Sequence, residues 1–449
     1  MAAARGEFSS RFGFLMAASG SAVGLGNIWG FPTNAASNGG AAFLFTYLLL
    51  VFALAYPALM AELIIGRHAH SNTVTALQTI STNSASKKLA VLVGFGGMLT
   101  VSLILSFYSI ISGWMLAYFL DPLARLLGMN EFAQWLTRDD PVRDIIFVAI
   151  FLVLTVMVIS AGVKNGIEKW ASRLMPALIV ILVLLIAYVL TLPGAMEGLR
   201  AYLVPDFSRL ADAGLLINAL GQAFFSLSLG VGTMLVYGSY ISSQENLPTI
   251  GGLVALLDVG IAVLAGLLII PAMYVAQANG VAIYDDNGGL IAGPGLILSV
   301  LPSLFDSMGS VGILAAIAFF MLMTIASLTS SISMLEVPVS YVVEHHHVER
   351  RRATSMLGAA VSLVCVTIIF NFDRLFDLVV TITTEYSQPV LGLFFCVFVA
   401  WIWKRDGVLQ EIKEGYPEAE SSLFWKIWPF YVKFICPLAI VMVYVELLT

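Results

Sequence analysis

FGFLMAASGSAVGLGNIWGFP, residues 12–32, is long and apolar enough to enter a bilayer, which takes about 20 residues at 1.5 Å each. It also carries Gly13, Gly20, Gly24, Gly26 and Gly30, with Ser19, Ser21 and Asn27 among them. Glycine is a poor helix former, and this clustering predicts a helix interrupted over residues 23–26. A break inside a membrane frees carbonyls and amides that lipid cannot satisfy. A cation on the carbonyls and an anionic group on the amides are the natural partners. The plainer alternative for this stretch alone is a glycine-rich helix packed closely on its neighbours.

The rest of the composition supports a membrane setting. Of 449 residues, 59% are hydrophobic and 11% are charged, with mean hydropathy +0.93. A soluble domain carries about 25% charged residues, so the chain reads as an all-α integral membrane protein. Its apolar runs are too long for barrel strands of about 10 residues. The basic residues lie in short separate loops, which gives no nucleic-acid surface. Cys365, Cys396 and Cys436 all fall in apolar runs and read as packing residues without a disulfide framework. Arg5, Glu7 and Arg11 lead straight into the first span, and no cleavable signal peptide is evident.

Eleven spans are expected, at about 10–35, 41–66, 89–120, 144–161, 170–192, 214–240, 251–278, 310–342, 354–371, 376–403 and 424–447. LIAGPGLILSVLPSLF (290–305) is too short and too broken by proline and glycine to cross, and is expected to form a re-entrant or surface helical hairpin. Lysine and arginine in short loops set orientation. Arg5, Arg11, Arg67, Lys87, Lys88, Lys164, Lys169, Arg173, Arg350, Arg351, Arg352, Lys404, Arg405 and Lys413 all fall on one side, which is therefore cytoplasmic. The opposite loops mix charges, as at Arg138-Asp139-Asp140 and Asp285-Asp286. The expected placement is the cell inner (plasma) membrane, with the amino end inside and the carboxyl end outside.

The sixth span, LGQAFFSLSLGVGTMLVYGSY (220–240), repeats the anomaly of the first with Gly221, Gly230, Gly232 and Gly238 among Gln222, Ser226 and Ser228. First and sixth are matching members of two five-span halves, 10–192 and 214–403, followed by an eleventh span at 424–447. An odd number of spans per half forces the halves into opposite orientations. Paired interrupted spans at matching positions point to a transporter of inverted repeats with a site at mid-membrane.

The runs GSAVGLGNIWGFP, GQAFFSLSLGVG and ASLTSSISM (326–334) resemble the neurotransmitter:sodium symporter family, in particular its bacterial amino-acid transporters of the LeuT type. The resemblance runs from Arg5 to the eleventh span, and the family's commoner twelfth span has no counterpart. It implies a LeuT-type fold and a carrier, not an enzyme, whose partners are sodium ions, a small-molecule amino-acid substrate and the lipid bilayer.

For the ions, the resemblance implies one sodium site from the carbonyls of Gly20 and Val23, with Ala326 and the hydroxyls of Thr329 and Ser330. The other would use the Ala22 carbonyl, the Asn27 amide oxygen, Ser226 and the substrate carboxylate, with Asp258 as ligand or neighbour. Tyr47, Gln222 and Ser226 match chloride-site residues of animal relatives, and the fixed charge of Asp258 is expected to replace that anion. For the substrate, the Leu25 and Gly26 amides and the Tyr108 hydroxyl would hold a carboxylate. The Phe225 carbonyl and the Ser228 region would take an amino group. Ile104, Phe225, Val231 and Met334 would line an apolar side-chain pocket, with Val231 leaving room for a large aliphatic or aromatic side chain. Monoamine carriers of this family have aspartate where this chain has Gly24, so an α-amino acid is expected.

For the gates, Arg5 and Glu344 resemble the cytoplasmic pair, supported by Ser239 and Tyr240. Asp377 matches the outer acidic partner, but Gly30 stands where its arginine is expected. Gly166 and Pro176 reproduce a spacing linked to unwinding of the fifth span and water access to the inner sodium site. Glu62 resembles the glutamate that braces the broken first helix, Glu336 replaces a glutamine, and Glu385 has no counterpart.

Three rival readings meet the same residues differently. An intramembrane serine protease needs a base, but His68, His70, His345, His346 and His347 all read as loop residues. A channel needs a continuous polar pore, whereas the polar residues gather at mid-membrane. A proton-coupled carrier of the same fold is separated from a sodium-coupled one only by experiment.

Overall fold

The computed structural model describes residues 6–204, 213–284, 291 and 296–448. Nine of its helices are long and apolar enough to cross a membrane, and a tenth span is the bent pair Arg11–Ala22 and Gly26–Ser37. The remaining expected span is the sixth, split into Ala213–Ser226 and Thr233–Gly238. The surface is inverted relative to a water-soluble protein. Leu92, Leu99, Met157, Leu184, Leu363 and Leu438 are exposed, while Ser19, Ser21, Asn27, Ser226, Ser330 and Asp258 are buried. Lipid accepts the first set, and helix–helix contacts must satisfy the second.

The first span begins with Ser10, whose hydroxyl accepts the Gly13 N–H at 3.0 Å. Its first half ends at Val23, where ψ turns to 103°. A wide turn over Gly26–Gly30 restarts the helix, and the two halves meet at 56°. The sixth span loses helical geometry over residues 227–232. Three left-handed residues produce that loss: Ser228 at φ +52°, Gly230 at +85° and Gly232 at +81°. Glycine adopts this region freely, whereas serine does so only when its surroundings hold it. Neither predicted interruption is an intact α-helix.

Around these two broken spans stand the long helices Ser84–Leu126 and Gly309–His346, packed on each other, with Val163–Val189 and Leu247–Ala278 closing the sides. The fifth span opens on a wide turn, Val163–Glu168, then runs as regular helix through Pro176. The irregularity thus surrounds Gly166 and ends at Glu168, and Lys169 to Pro176 is regular helix. In the 290–305 stretch, Leu296–Leu304 is helical and continues to Ser307, with residues 290 and 292–295 outside the described set.

Two braces were not legible beforehand. At the end of the second span Arg67, fully buried, bonds Glu411 Oε1 at 2.5 Å, the Glu411 carbonyl, and the Glu245 carbonyl at 2.8 Å. His68 Nδ1 meets Glu411 Oε2 at 3.0 Å. Together they tie the end of the second span to the helix Arg405–Gly415. Glu168 in turn holds the chain start, accepting from Ser9 N–H (2.8 Å), Ser9 Oγ (2.7 Å) and Ser10 Oγ (3.0 Å). The three cysteines are free and buried. His68 lies in the last turn of a helix, and His345 and His346 in the last turn of another, which corrects their reading as loop residues.

Candidate ion and substrate site

The two breaks face each other. Ser228 Oγ donates to the Ser21 carbonyl at 3.0 Å, and Ser21 Oγ donates to Ser333 Oγ at 2.7 Å. The first, sixth and eighth spans are thereby joined at the level where both helices lose their regular bonding.

Carbonyls released by the first break converge on the eighth span. Ser330 Oγ lies 3.2 Å from the Gly20 carbonyl and 3.1 Å from that of Val23. Thr329 Oγ1 is 3.0 Å from the Ala326 carbonyl. Three of the five oxygens expected for one sodium site thus lie together, on Gly20, Val23 and Ser330, while Thr329 Oγ1 bonds back to the Ile325 and Ala326 carbonyls of its own helix; all are neutral, hard donors of the kind an alkali cation takes. A Cβ at Gly20 would sit 3.0 Å from Thr329 Cβ, so the approach depends on a residue without a side chain.

The second set is built on Asp258, which is fully buried in the seventh span. Asn27 Nδ2 donates to its Oδ1 at 2.6 Å and Ser226 Oγ donates to its Oδ2 at 2.7 Å. Asn27 Nδ2 also reaches Ser226 Oγ at 2.9 Å and the Asp258 carbonyl at 3.2 Å. Because the Ser226 proton is directed at Asp258, the Tyr47 hydroxyl 3.2 Å away donates to Ser226. No lysine or arginine pairs with Asp258 among the described residues. A buried carboxylate without a countercharge is costly, and a cation beside it would offset that cost. The orientation of Asn27 differs from expectation. Its nitrogen faces the carboxylate, and its Oδ1 instead accepts the Gly24 N–H at 3.3 Å. Gln222 donates to the Gly26 carbonyl at 2.8 Å and accepts from Asn34 at 3.0 Å, so it braces the restarted helix.

Ala22, Gly26, Ile104, Tyr108, Phe225, Ser228, Val231 and Met334 all line one cavity of about 30 Å³. Leu25 contributes through its amide, which donates to the Tyr108 hydroxyl at 3.1 Å. The Phe225 carbonyl accepts the Ser228 N–H at 3.0 Å. Phe225 carbons lie 2.8 and 2.9 Å from where a Gly26 Cβ would be, and at Gly24 a Cβ would be 2.5 Å from Ser330 Oγ and 2.6 Å from the Tyr108 hydroxyl. Position 24 therefore has no room for an acidic side chain.

Glu62 departs from expectation. Its carboxylate accepts from the Gly230 and Leu235 amides, so it braces the broken sixth helix. The reason is position, since its helix Tyr56–Ala69 packs along Thr233–Gly238. Of the residues expected to form the cytoplasmic gate, Arg5 lies outside the described residues. Glu344 Oε2 accepts from Asn72 N–H (2.8 Å) and Nδ2 (2.9 Å). The Tyr240 hydroxyl donates to Glu336 Oε1 at 2.6 Å, and Arg350 reaches Glu336 Oε2 at 2.5 Å. Ser239 Oγ donates to the Val236 carbonyl. The Phe8 N–H donates to the Tyr240 carbonyl at 3.1 Å, and its ring packs edge-on against Phe14, Tyr237 and Tyr240. Asp377, expected at the outer gate, is exposed and has no ion pair among the described residues, in keeping with glycine at position 30. Glu385 is exposed in a wide turn of the tenth span.

A helical membrane protein with two facing helix breaks lining one small cavity is a secondary carrier of the LeuT-type fold, with two inverted five-helix repeats and an eleventh span. The sodium:neurotransmitter symporter family model matches residues 5–144 and 141–449, and the chain belongs to that family. A sodium-dependent transporter of Bacillus subtilis named YhdH is 33% identical over 98% of this chain and 97% of its own. The crystal structure of MhsT in complex with L-phenylalanine superposes with a TM-score of 0.85 at 36% identity, covering 98% of this chain and 99% of that one. The sodium- and chloride-dependent taurine transporter of Bos taurus is 26% identical over 92% of this chain and 74% of its own.

Proposed function

We propose that this carrier takes up a hydrophobic amino acid with a large aliphatic or aromatic side chain. Uptake proceeds by alternating access, coupled to two sodium ions and independent of chloride. The observation that carries this reading is the buried Asp258 carboxylate, placed beside Asn27 and Ser226 with no basic partner among the described residues. One sodium would sit there with the Ala22 carbonyl and the substrate carboxylate. The other would take the Gly20, Val23 and Ala326 carbonyls with Thr329 and Ser330. Because Asp258 already brings a negative charge to the Tyr47–Ser226 pair, a chloride there would be repelled.

The Leu25 and Gly26 amides and Tyr108 would bind the carboxylate, and the Phe225 carbonyl with Ser228 the amino group. The structure of MhsT with L-phenylalanine supports an amino-acid cargo of this kind. The cavity holds about two water molecules by volume, so any such side chain must part its lining on binding. We place the repeats at 10–192 and 214–403 and the eleventh span at 424–447. The chain would sit in the cell inner membrane with its amino end inside and its carboxyl end outside.

The energetics favour an accumulating carrier. A tenfold sodium gradient gives about 1.4 kcal/mol and 100 mV adds about 2.3 kcal/mol per charge, so one ion supports roughly 500-fold accumulation of a zwitterion. Two ions support on the order of 10⁵-fold. The test is amino-acid uptake into proteoliposomes with sodium replaced by choline or potassium, over a pH series. Loss of uptake on replacement supports sodium coupling, and uptake driven by a proton gradient alone overturns it. A thermal-stability screen of all amino acids with and without sodium identifies the cargo.

A further inference from the structure

Gln388 takes part in none of the contacts described above. It follows the wide turn Thr381–Ser387 of the tenth span, is 3% exposed, and lines the central cavity. Its backbone is pinned to the second helix break, since a Cβ at Gly230 would come within 2.1 Å of the Gln388 carbonyl oxygen. Gly230 is left-handed at φ +85°, so both its conformation and this contact require glycine. Gln388 and Val231, the residue assigned to the side-chain pocket, line the same cavity.

Its Oε1 is buried and has no hydrogen-bond partner among the described residues. Four other buried side-chain oxygens share that condition, on Ser19, Ser71, Thr73 and Tyr444, and none of those residues lines the cavity. The remaining polar groups of the lining are occupied. Ser228 is bonded to Ser21, Thr233 to the Ser228 carbonyl, Ser330 to Gly20 and Val23, and Tyr108 to Leu25. A buried acceptor without a partner is destabilising, and a ligand that brings a donor relieves it.

We propose that Gln388 is a specificity-determining residue, accepting a hydrogen bond from a donor on the substrate's side chain. The preferred cargo is then an amino acid whose side chain is mainly apolar but carries a hydroxyl or N–H. This rests on the reading of the chain as an amino-acid carrier. It goes further by separating cargoes of equal size that differ in one polar atom. A pocket built around a hydrogen bond rejects the analogue that lacks the group, because its own polar atom is then left unpaired.

The test uses the purified full-length protein and matched pairs, tyrosine against phenylalanine and threonine against valine, with tryptophan as a third donor. Half-saturating concentrations are read from thermal stabilisation in sodium. The expected result is that the hydroxyl member of at least one pair binds about tenfold tighter than its isostere. The pair that responds reports the size of the cargo. Gln388→Leu abolishes that preference and leaves affinity for the apolar member within about twofold, which also shows that the variant folds. Gln388→Met, an unbranched replacement of similar length, gives the same result by a second route. Equal affinity within both pairs for the unmodified protein, or a preference that survives either substitution, overturns the proposal. Stabilisation by hydrophobic amino acids in sodium without any donor preference defeats this inference alone. Absence of sodium-dependent stabilisation by every amino acid defeats the carrier reading and this inference together.

Discussion

The Glu62 carboxylate takes the Gly230 amide at 2.7 Å, on the far side of a break that leaves Gly230 without a helical acceptor. Its second oxygen takes the Leu235 amide at 3.3 Å, so one side chain spans the interruption and restarts the helix. Glu62→Gln keeps one acceptor and turns an N–H toward an N–H at the other. About 1–3 kcal/mol of stabilisation is lost for a buried donor left unpaired. The expected outcome is a lower melting temperature of the detergent-solubilised carrier and uptake reduced at least tenfold at normal membrane abundance.

Asp258→Asn removes the one formal charge of the Asn27–Ser226–Tyr47 cluster. Uptake in chloride-free medium should fall at least tenfold, and added chloride should recover part of it by supplying the missing charge near Tyr47 and Ser226. Uptake that is unchanged without chloride would falsify the role assigned to this carboxylate.

Ser330→Ala deletes the hydroxyl that bridges the Gly20 and Val23 carbonyls. The sodium concentration for half-maximal uptake should rise about tenfold, the scale of one hydrogen bond to a charged species. The Hill coefficient for sodium, expected near two in the unmodified carrier, should fall toward one. A coefficient of one before any substitution removes the second ion.

Gly24→Ala introduces a methyl group 2.5 Å from Ser330 Oγ and 2.6 Å from the Tyr108 hydroxyl. Both groups belong to proposed binding sets, so substrate and sodium affinities should weaken together. Thermal stabilisation by each ligand measures this, and a loss confined to one ligand contradicts the shared geometry.

Glu411 lies outside the spans, where burial works against its charge and its bonds to His68 and Arg67 overcome that effect. Its carboxyl is held below the ordinary glutamate range. A depressed carboxylate contributes stability that is present above the unfolded pKa and is lost as pH falls through the folded one. Glu411→Gln should therefore lower the melting temperature at pH 7, and the gap should close only as pH falls below the ordinary glutamate range and through the depressed folded value, where the native glutamate is itself protonated.

Much of this arrangement was legible in the sequence because glycine clustering is local. Gly24 and Gly26, and Gly230 and Gly232, mark breaks that no alternation or charge pattern would have revealed. The convergence of Asn27, Ser226 and Asp258 was expected only through resemblance, since 231 residues separate the first from the last. Pairings of that kind stayed hidden where resemblance was silent or misplaced. Glu168 sits in KNGIEK, which reads as a solvated loop, and its partners Ser9 and Ser10 lie 159 and 158 residues away. Arg67 and Glu411 are 344 residues apart. Glu62 was assigned to the wrong break, because a carboxylate's spacing along its own helix does not say which neighbour it faces. Gln388 follows TITTEYS, a polar run with no period that would single it out.

The left-handed backbone at Ser228 has a consequence for how the sixth span can move. A serine keeps φ +52° only while its surroundings hold it, and its hydroxyl is fastened to the Ser21 carbonyl at 3.0 Å. A swing of either broken helix that stretched this tie would free the serine to relax, so the two spans are geared to travel as one lever.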